Sequence, residues 1–153
     1  MKSPMTLFQE NLLLIRRAVG WTAGEMGDKI GVTRQTINNL ESGRTTISKT
    51  QYIALRSVLD AEMQLHPEET EMLHLILDAY VDHPDEYDSE KKAALMSQLN
   101  MVTPSILAST STRAEVSKSV MDTARKIGGF AFLKVALTGA WILMLLSDSD
   151  KEK

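Results

Sequence analysis

Four polar side chains with the chemistry of base recognition lie within one short stretch of the chain. Arginine can donate two hydrogen bonds to the edge of guanine, and asparagine or glutamine can pair with adenine in the same bidentate way. The four residues are Arg34, Gln35, Asn38 and Asn39. Ile37 and Leu40 recur among them at helical spacing, which assigns the apolar and the polar side chains to opposite faces of one helix. The stretch therefore predicts a helix from Thr33 to Gly43 whose polar face suits the edges of bases.

Two glycines indicate how this helix is joined to the one before it. The preceding helix is predicted to begin at Thr22, which with Glu25 has the form of a capping box, and to end at Gly31. Gly31 supplies the residue tolerant of positive φ that a tight turn needs. Gly27 supplies a small residue where two steeply packed helices approach each other. The pattern predicts a helix-turn-helix over residues 23–42.

Residues 7–61 resemble the DNA-binding domain of the phage repressor and Cro (Xre) family of transcriptional regulators. The resemblance is carried by the stretch IGVTRQTINNLESGRTTISKTQYIALRSVL. The small residue in the first helix, the turn glycine, the capped second helix and the closing Leu-Glu-Ser-Gly-Arg all fall in the family's register. The resemblance implies a bundle of four or five helices whose recognition helix enters the major groove of DNA.

The resemblance also implies roles for individual residues. It implies that the bases are contacted by Arg34, Gln35, Thr36 and Asn39. It also implies that the DNA backbone is contacted by Thr33, Asn38, Ser42, Arg44 and Thr46. Backbone contacts set the register and the affinity of binding but carry no sequence information.

Two further positions are interpreted through the same resemblance. Arg16 and Glu41 stand where the family often has an ion pair that joins the first helix to the third. Ala23 stands where the family commonly has a glutamine that holds a phosphate, so this chain departs from the pattern there. Backbone N–H groups at the start of a helix can still bind a phosphate.

Composition and charge exclude several classes of function. The chain has 153 residues, a net charge of −3 and no cysteine, which excludes disulfides, thiol nucleophiles and cysteine-based metal sites. The three histidines have no metal-ligand spacing, and no nucleophile with a partner base or phosphate-binding loop is recognisable. We therefore expect neither an enzyme nor a cofactor.

Charge is distributed unevenly along the chain. Residues 1–60 hold eight Lys or Arg against five Asp or Glu, whereas residues 61–100 hold two against ten. The first sixty residues can thus meet a polyanion despite the net charge.

Residues typical of helix starts and helix ends recur along the whole chain, and the alternating apolar pattern of β-strands is nearly absent. The sequence predicts an all-α protein in which an acidic helical segment and a long apolar helix follow the first bundle. Helices are predicted over 4–19, 22–31, 33–43, 48–61, 89–100, 113–127 and 130–146, with another opened by His66-Pro67-Glu68-Glu69 and a loop over 82–88. The predicted segments are the helix-turn-helix domain 1–62, the acidic segment 63–102, a linker 103–112, the C-terminal helix 113–147 and a polar tail 148–153.

The apolar stretch Phe130 to Leu146 has two interpretations. It contains one charge, Lys134, and its apolar residues surround the whole helix. Its length of roughly 25 Å is marginal for a bilayer core, so one interpretation is a membrane anchor that tethers a cytoplasmic DNA-binding domain. The other is a buried core between two copies of the chain.

We expect a sequence-specific regulator that binds double-stranded DNA as a homodimer at an operator, because one recognition helix contacts too few base pairs to be selective. The alternative is a protein-interaction module, an antitoxin-like partner or a membrane-bound adaptor, that uses the same helical bundle.

Overall fold

The computed structural model describes residues 2–127 and 139–151, and the regular structure in these ranges is helical throughout. The α-helices, in chain order, are α1 Pro4–Glu10, α2 Leu12–Val19, α3 Ala23–Ile30, α4 Arg34–Ser42, α5 Lys49–Leu65, α6 Glu71–Leu77, α7 Ser89–Val102, α8 Pro104–Leu107, α9 Arg113–Ile127 and α10 Ala140–Lys151. A π-helical turn over Asp78–Asp82 and a 3-10 turn over Pro84–Glu86 connect α6 to α7. The predicted all-α class is confirmed for this part of the chain.

The predicted helix over 4–19 is wrong in one respect, because it is divided into α1 and α2 at Asn11. The backbone of Asn11 leaves the helical region (φ −104°, ψ 8°). Its side-chain amide donates a hydrogen bond to the carbonyl of Leu7, 2.8 Å away. The N–H of Asn11 is shared between the carbonyls of Leu7 and Phe8, at 3.1 and 3.2 Å, as is common where a helix ends.

The predicted start of the acidic helix is also wrong. Residues 67–70 form turns, and α6 begins at Glu71. The hydroxyl of Thr70 donates to the carbonyl of His66, 2.7 Å away, and does not cap the helix. Instead the buried hydroxyl of Ser117, in α9, accepts the N–H of Met72 at 3.0 Å. The first turn of α6 is therefore satisfied from another helix, which no local pattern reveals.

The helices share one apolar core that extends from Phe8 to Trp141. α3 packs on α4 and α5, α6 packs on α2 and α9, and α7 packs on α9. The residues predicted to form separate segments of the chain thus contribute to the same buried cluster. Within the predicted linker 103–112 the structure has the short helix α8.

Arg113 fastens the start of α9 to the N-terminal helices. Its guanidinium donates to the carbonyl of Val19 at 3.1 Å and to the carboxylate of Glu62 at 2.7 Å. A third hydrogen bond, of 2.5 Å, reaches the carboxylate of Glu69. These contacts join α9 to the end of α2, to α5 and to the turn before α6.

A buried ion pair ties α5 to the π-helical turn. Arg56 has a side chain 3% exposed and makes two hydrogen bonds of 2.9 Å to the carboxylate of Asp82. The guanidinium also lies 5.2 Å from the ring centre of Trp141 and 5.9 Å from those of Phe8 and Tyr52. Burial raises the pKa of Tyr52 to about 12. α1, α5, α10 and the turn after α6 therefore meet around one charge.

The C-terminal part of the chain differs from the continuous helix predicted over 130–146. Residues 130–138 of that stretch lie outside the described residues. Gly139 has φ +100° and forms a turn, and α10 begins after it at Ala140. A left-handed residue ends helical geometry, so the helix cannot run unbroken through this position. In the ranges 2–127 and 139–151 no helix combines the length and the apolar character that crossing a membrane requires.

The acidic loop 82–88 is more ordered than the sequence predicted. It contains the 3-10 turn, and Asp88 at its end caps α7 by accepting from the N–H groups of Glu90 and Lys91. Nearby, the carboxylate of Asp78 bonds both Nδ1 of His83, at 2.7 Å, and the hydroxyl of Tyr87. The hydrogen bond to this carboxylate raises the pKa of His83 above its ordinary value.

This contact predicts a pH-dependent contribution to stability. Because the folded state raises the pKa of His83, the contribution is complete below the unfolded pKa of about 6.5 and is lost as the pH rises through the folded pKa. The side chain is 43% exposed, so we expect less than about 1 kcal/mol. The difference in free energy of unfolding between wild type and His83→Gln should shrink from about pH 6 to about pH 8. A constant difference across that range would contradict the assignment. Burial lowers the pKa of His74, which therefore contributes with the opposite sign. Because wild type and His83→Gln both contain His74, its contribution cancels in their difference.

Candidate nucleic-acid interface

The turn between α3 and α4 is built on a close approach of backbones. A Cβ added to Gly27 would lie 2.6 Å from the carbonyl oxygen of Val32. The N–H of Val32 donates to the carbonyl of Gly27 at 2.9 Å. Gly31, at φ +79°, occupies the left-handed region that the sequence assigned to the turn. No side chain larger than hydrogen fits at Gly27 without moving the start of α4.

α4 has the two faces that its sequence predicts. Ile37 and Leu40 are buried at 0% and 1% exposure. At the N-terminus the hydroxyl of Thr33 accepts the N–H of Thr36 at 3.1 Å. The two threonine hydroxyls lie 3.0 Å apart and also share a hydrogen bond. The cap and the buried face fix the rotation of the helix about its axis, and so they determine which side chains face outward.

The predicted base-contacting residues lie on the outward side of α4. Arg34 and Gln35 are exposed, and Thr36 and Asn39 are half-buried. The side-chain amide of Gln35 donates to the side-chain oxygen of Asn39 at 2.9 Å. This bond holds two of the amides predicted to contact bases side by side on neighbouring turns. Asn38, half-buried, was assigned to backbone contact and lies on the same helix.

The predicted backbone-contacting residues at the end of α4 and in the loop after it are exposed, and the loop is held by hydrogen bonds. Ser42, Arg44 and Thr46 all face solvent. The carbonyl of Asn39 accepts from the N–H of Arg44 at 3.0 Å and from the hydroxyl of Ser42 at 3.2 Å. Ile47 anchors the far end of the loop in the core at 5% exposure. The end of α4 and the loop therefore present the cation of Arg44 beside the hydroxyls of Ser42 and Thr46.

Arg16 and Glu41 form the bidentate ion pair whose positions the sequence identified. Both Nε and Nη2 of Arg16 bond the carboxylate, and Nη1 donates to the carbonyl of Trp21 at 3.0 Å. The two side chains are 11% and 8% exposed. The pair joins α2 to the last turn of α4, and the contact to Trp21 adds the segment between α2 and α3. It therefore fixes the recognition helix relative to two other elements.

The structure shows the surroundings of Ala23, the position where this chain lacks the glutamine common in the family. Ala23 is 9% exposed and packs in the core. The cap of α3 is Thr22, whose hydroxyl accepts the N–H of Glu25 at 3.1 Å. The position where the family commonly has a phosphate-holding glutamine is thus a core position in this chain. Across the described residues no group of three or more His, Asp or Glu side chains is placed to hold a metal ion.

One residue that holds α4 and the loop after it was missed by sequence reasoning. Gln9, in α1, bonds the backbone of α4 and of the loop after it through its side-chain amide. Its partners are more than thirty residues further along the chain. A lone glutamine on an amphipathic helix carries no signal of such a role.

These elements together define a helix-turn-helix DNA-binding domain. A family model described as helix-turn-helix matches residues 12–65. This part of the chain is a helix-turn-helix domain of the Cro and phage-repressor (Xre) family. No significant match was found among curated proteins or among solved structures.

Proposed function

We propose that the protein is a sequence-specific transcriptional regulator that occupies an operator as a homodimer, with α4 in the major groove. The observation that carries the proposal is the outward face of α4, where Arg34 and Gln35 are exposed on a helix whose opposite face is fully buried. A base-reading helix needs both properties, since exposure allows contact and burial prevents rotation. The domain would act in the cytoplasm, where the DNA of a prokaryotic cell lies.

The homodimer follows from the size of a single recognition helix. Such a helix reads a few base pairs, and two copies on half-sites about one helical turn apart give a selective site. α10 offers a surface that suits a second copy. Leu143 and Leu146, one turn apart on this helix, are 69% and 52% exposed. Large exposed apolar side chains on adjacent turns are typical of surfaces that pack against another chain.

A binding selection tests the proposal directly. The full chain is incubated with a pool of random-sequence duplexes, and the bound fraction is sequenced at low and at moderate salt. We expect a pseudo-palindromic motif and an affinity that falls steeply with salt. Arg34→Ala should cost about 1–3 kcal/mol and relax the preference at particular base pairs. Arg44→Ala is the matched control, because it removes the same charge from the loop and should weaken all sequences alike.

Two outcomes would contradict the proposal. If Arg34→Ala leaves the base preference unchanged, α4 does not read bases through this residue. If the full chain binds no duplex in a salt-dependent way, the helical bundle serves as a protein-interaction module, because an apolar protein interface lacks the steep salt dependence of phosphate contacts.

A further inference from the structure

The loop after α4 must hold a fixed position relative to that helix if both are to contact DNA together. Arg44 and Thr46 are exposed side chains on the segment 43–48, which joins α4 to α5 and is not helical. A loop of this kind can move relative to the helix it follows. Contacts to DNA phosphates and contacts to bases must be made in one rigid register, since the former orient the protein while the latter read the sequence.

Gln9 uses its whole side-chain amide to hold this loop. Its nitrogen donates to the carbonyl of Leu40 at 3.0 Å and to the carbonyl of Thr45 at 2.6 Å. Its oxygen accepts the N–H of Ile47 at 3.0 Å. Both donors and the acceptor of the glutamine are thereby engaged with backbone groups. One side chain from α1 bridges the last turns of the recognition helix and both sides of Thr46.

The three partners explain why a side chain is needed there. The carbonyl of Leu40 lies in the last turn of α4, where it accepts the N–H of Gly43 at 3.3 Å and the amide of Gln9 as a second donor. The backbone groups of Thr45 and Ile47 lie in an irregular segment. The carbonyl of Thr45 and the N–H of Ile47 need partners, and the amide of Gln9, which is also bonded to α4, supplies both. The loop is consequently held at a defined position relative to α4.

We infer that Gln9 is a positioning residue for DNA binding, which aligns the backbone-contacting loop with the recognition helix. The inference rests on the proposed function. Gln9 acts through the loop, so its removal loosens Arg44 and Thr46 while the outward face of α4 keeps its own cap and buried anchor. The base preference should therefore survive a change that weakens phosphate contact.

The test uses Gln9→Ala in the full chain, with Asn11→Ala as the matched control. Both substitutions remove a half-buried amide near the end of α1, but the amide of Asn11 bonds Leu7 within the same helix and not the loop. The probe is the duplex that the wild-type chain recovers from the random pool. We expect Gln9→Ala to lower its affinity about tenfold and to reduce the slope of log affinity against log salt by about one. Asn11→Ala should leave the slope unchanged.

A double-mutant cycle separates positioning from general destabilisation. If Gln9 acts through the loop, the loss caused by Gln9→Ala should be much smaller in an Arg44→Ala background. Amide hydrogen exchange gives a second readout, because the N–H of Ile47 should lose protection in Gln9→Ala and not in Asn11→Ala. If Gln9→Ala does not fold, Gln9→Glu keeps the acceptor for Ile47 and removes the two donors, and the same effects are expected in that variant.

The failures of the two proposals are distinguishable. If the wild type binds DNA and Gln9→Ala matches Asn11→Ala in affinity and salt slope, Gln9 has no positioning role and the proposed function stands. Additive effects in the cycle, or a changed base preference in Gln9→Ala, would likewise overturn the inference alone. If the wild-type chain shows no salt-dependent binding, both proposals fail.

Discussion

Asp82→Ala is expected to destabilise the protein by about 3–5 kcal/mol, because it leaves the charge of Arg56 buried without its partner. Arg56 is 3% exposed, and both of its hydrogen bonds to side chains go to Asp82. Its Nε has no hydrogen-bond partner in the part of the chain that the structure describes. The surrounding rings of Phe8, Tyr52 and Trp141 exclude the water that could solvate the charge. The free energy of unfolding in urea measures the effect.

Two variants control this prediction. Glu10→Ala removes the acidic partner of an exposed ion pair, in which the side chains of Lys2 and Glu10 are 60% and 46% exposed, and should change stability by less than about 1 kcal/mol. Replacing both partners in Arg56→Met/Asp82→Leu should recover most of the loss, since no charge is then left buried. A loss below about 1 kcal/mol for Asp82→Ala would show that water reaches Arg56.

Trp141→Ala is the second substitution with a large expected effect, again about 3–5 kcal/mol. Trp141 is 5% exposed and fixes α10 against α5. Its ring meets Tyr52 edge to face at 5.6 Å between centroids, and its indole N–H donates to the carboxylate of Asp60 at 2.6 Å. Burial raises the pKa of Asp60, so the indole bond replaces solvent for a partly desolvated group. Thermal unfolding of the full chain provides the measurement.

The controls for Trp141 separate packing from the hydrogen bond. Trp141→Phe keeps an apolar ring and loses the bond to Asp60, so we expect a loss between that of the alanine variant and wild type. Leu65→Ala, at the end of α5, alters a side chain that is 72% exposed and should be nearly neutral. If Trp141→Ala is as mild as Leu65→Ala, α10 is not docked on α5 in solution.

The helix-turn-helix was predictable because its signals are local. Capping hydroxyls at Thr22 and Thr33, turn glycines at Gly31 and Gly43, and an apolar period of three to four residues all act within one helical turn. Gly27 also lies a few residues from the backbone it must let approach. Such signals determine both the helices and the outward face of α4, so the candidate base-contacting residues could be named from the sequence.

Prediction from local signals failed where the deciding interaction or conformation is not recorded in the neighbouring residues. The start of α6 was predicted too early because its capping group is Ser117, 45 residues away. The break at Asn11 was missed because an apolar period continues across it from α1 into α2. The course of the chain over 130–146 was predicted from apolar content, which does not reveal that Gly139 adopts a positive φ.

The sequence by itself determined the class of the fold, the helix-turn-helix and the polar face of its second helix. Each of these depends on residue type and on spacing within a turn of helix. The tertiary structure alone decided that Gln9 holds the loop, that Arg113 fastens α9 to Val19 from 94 residues away, and that Arg56 pairs with Asp82 beneath Trp141. Helical periodicity records which face of a helix is buried but not which helix covers it, so the pairing of distant polar groups depends on how the helices pack.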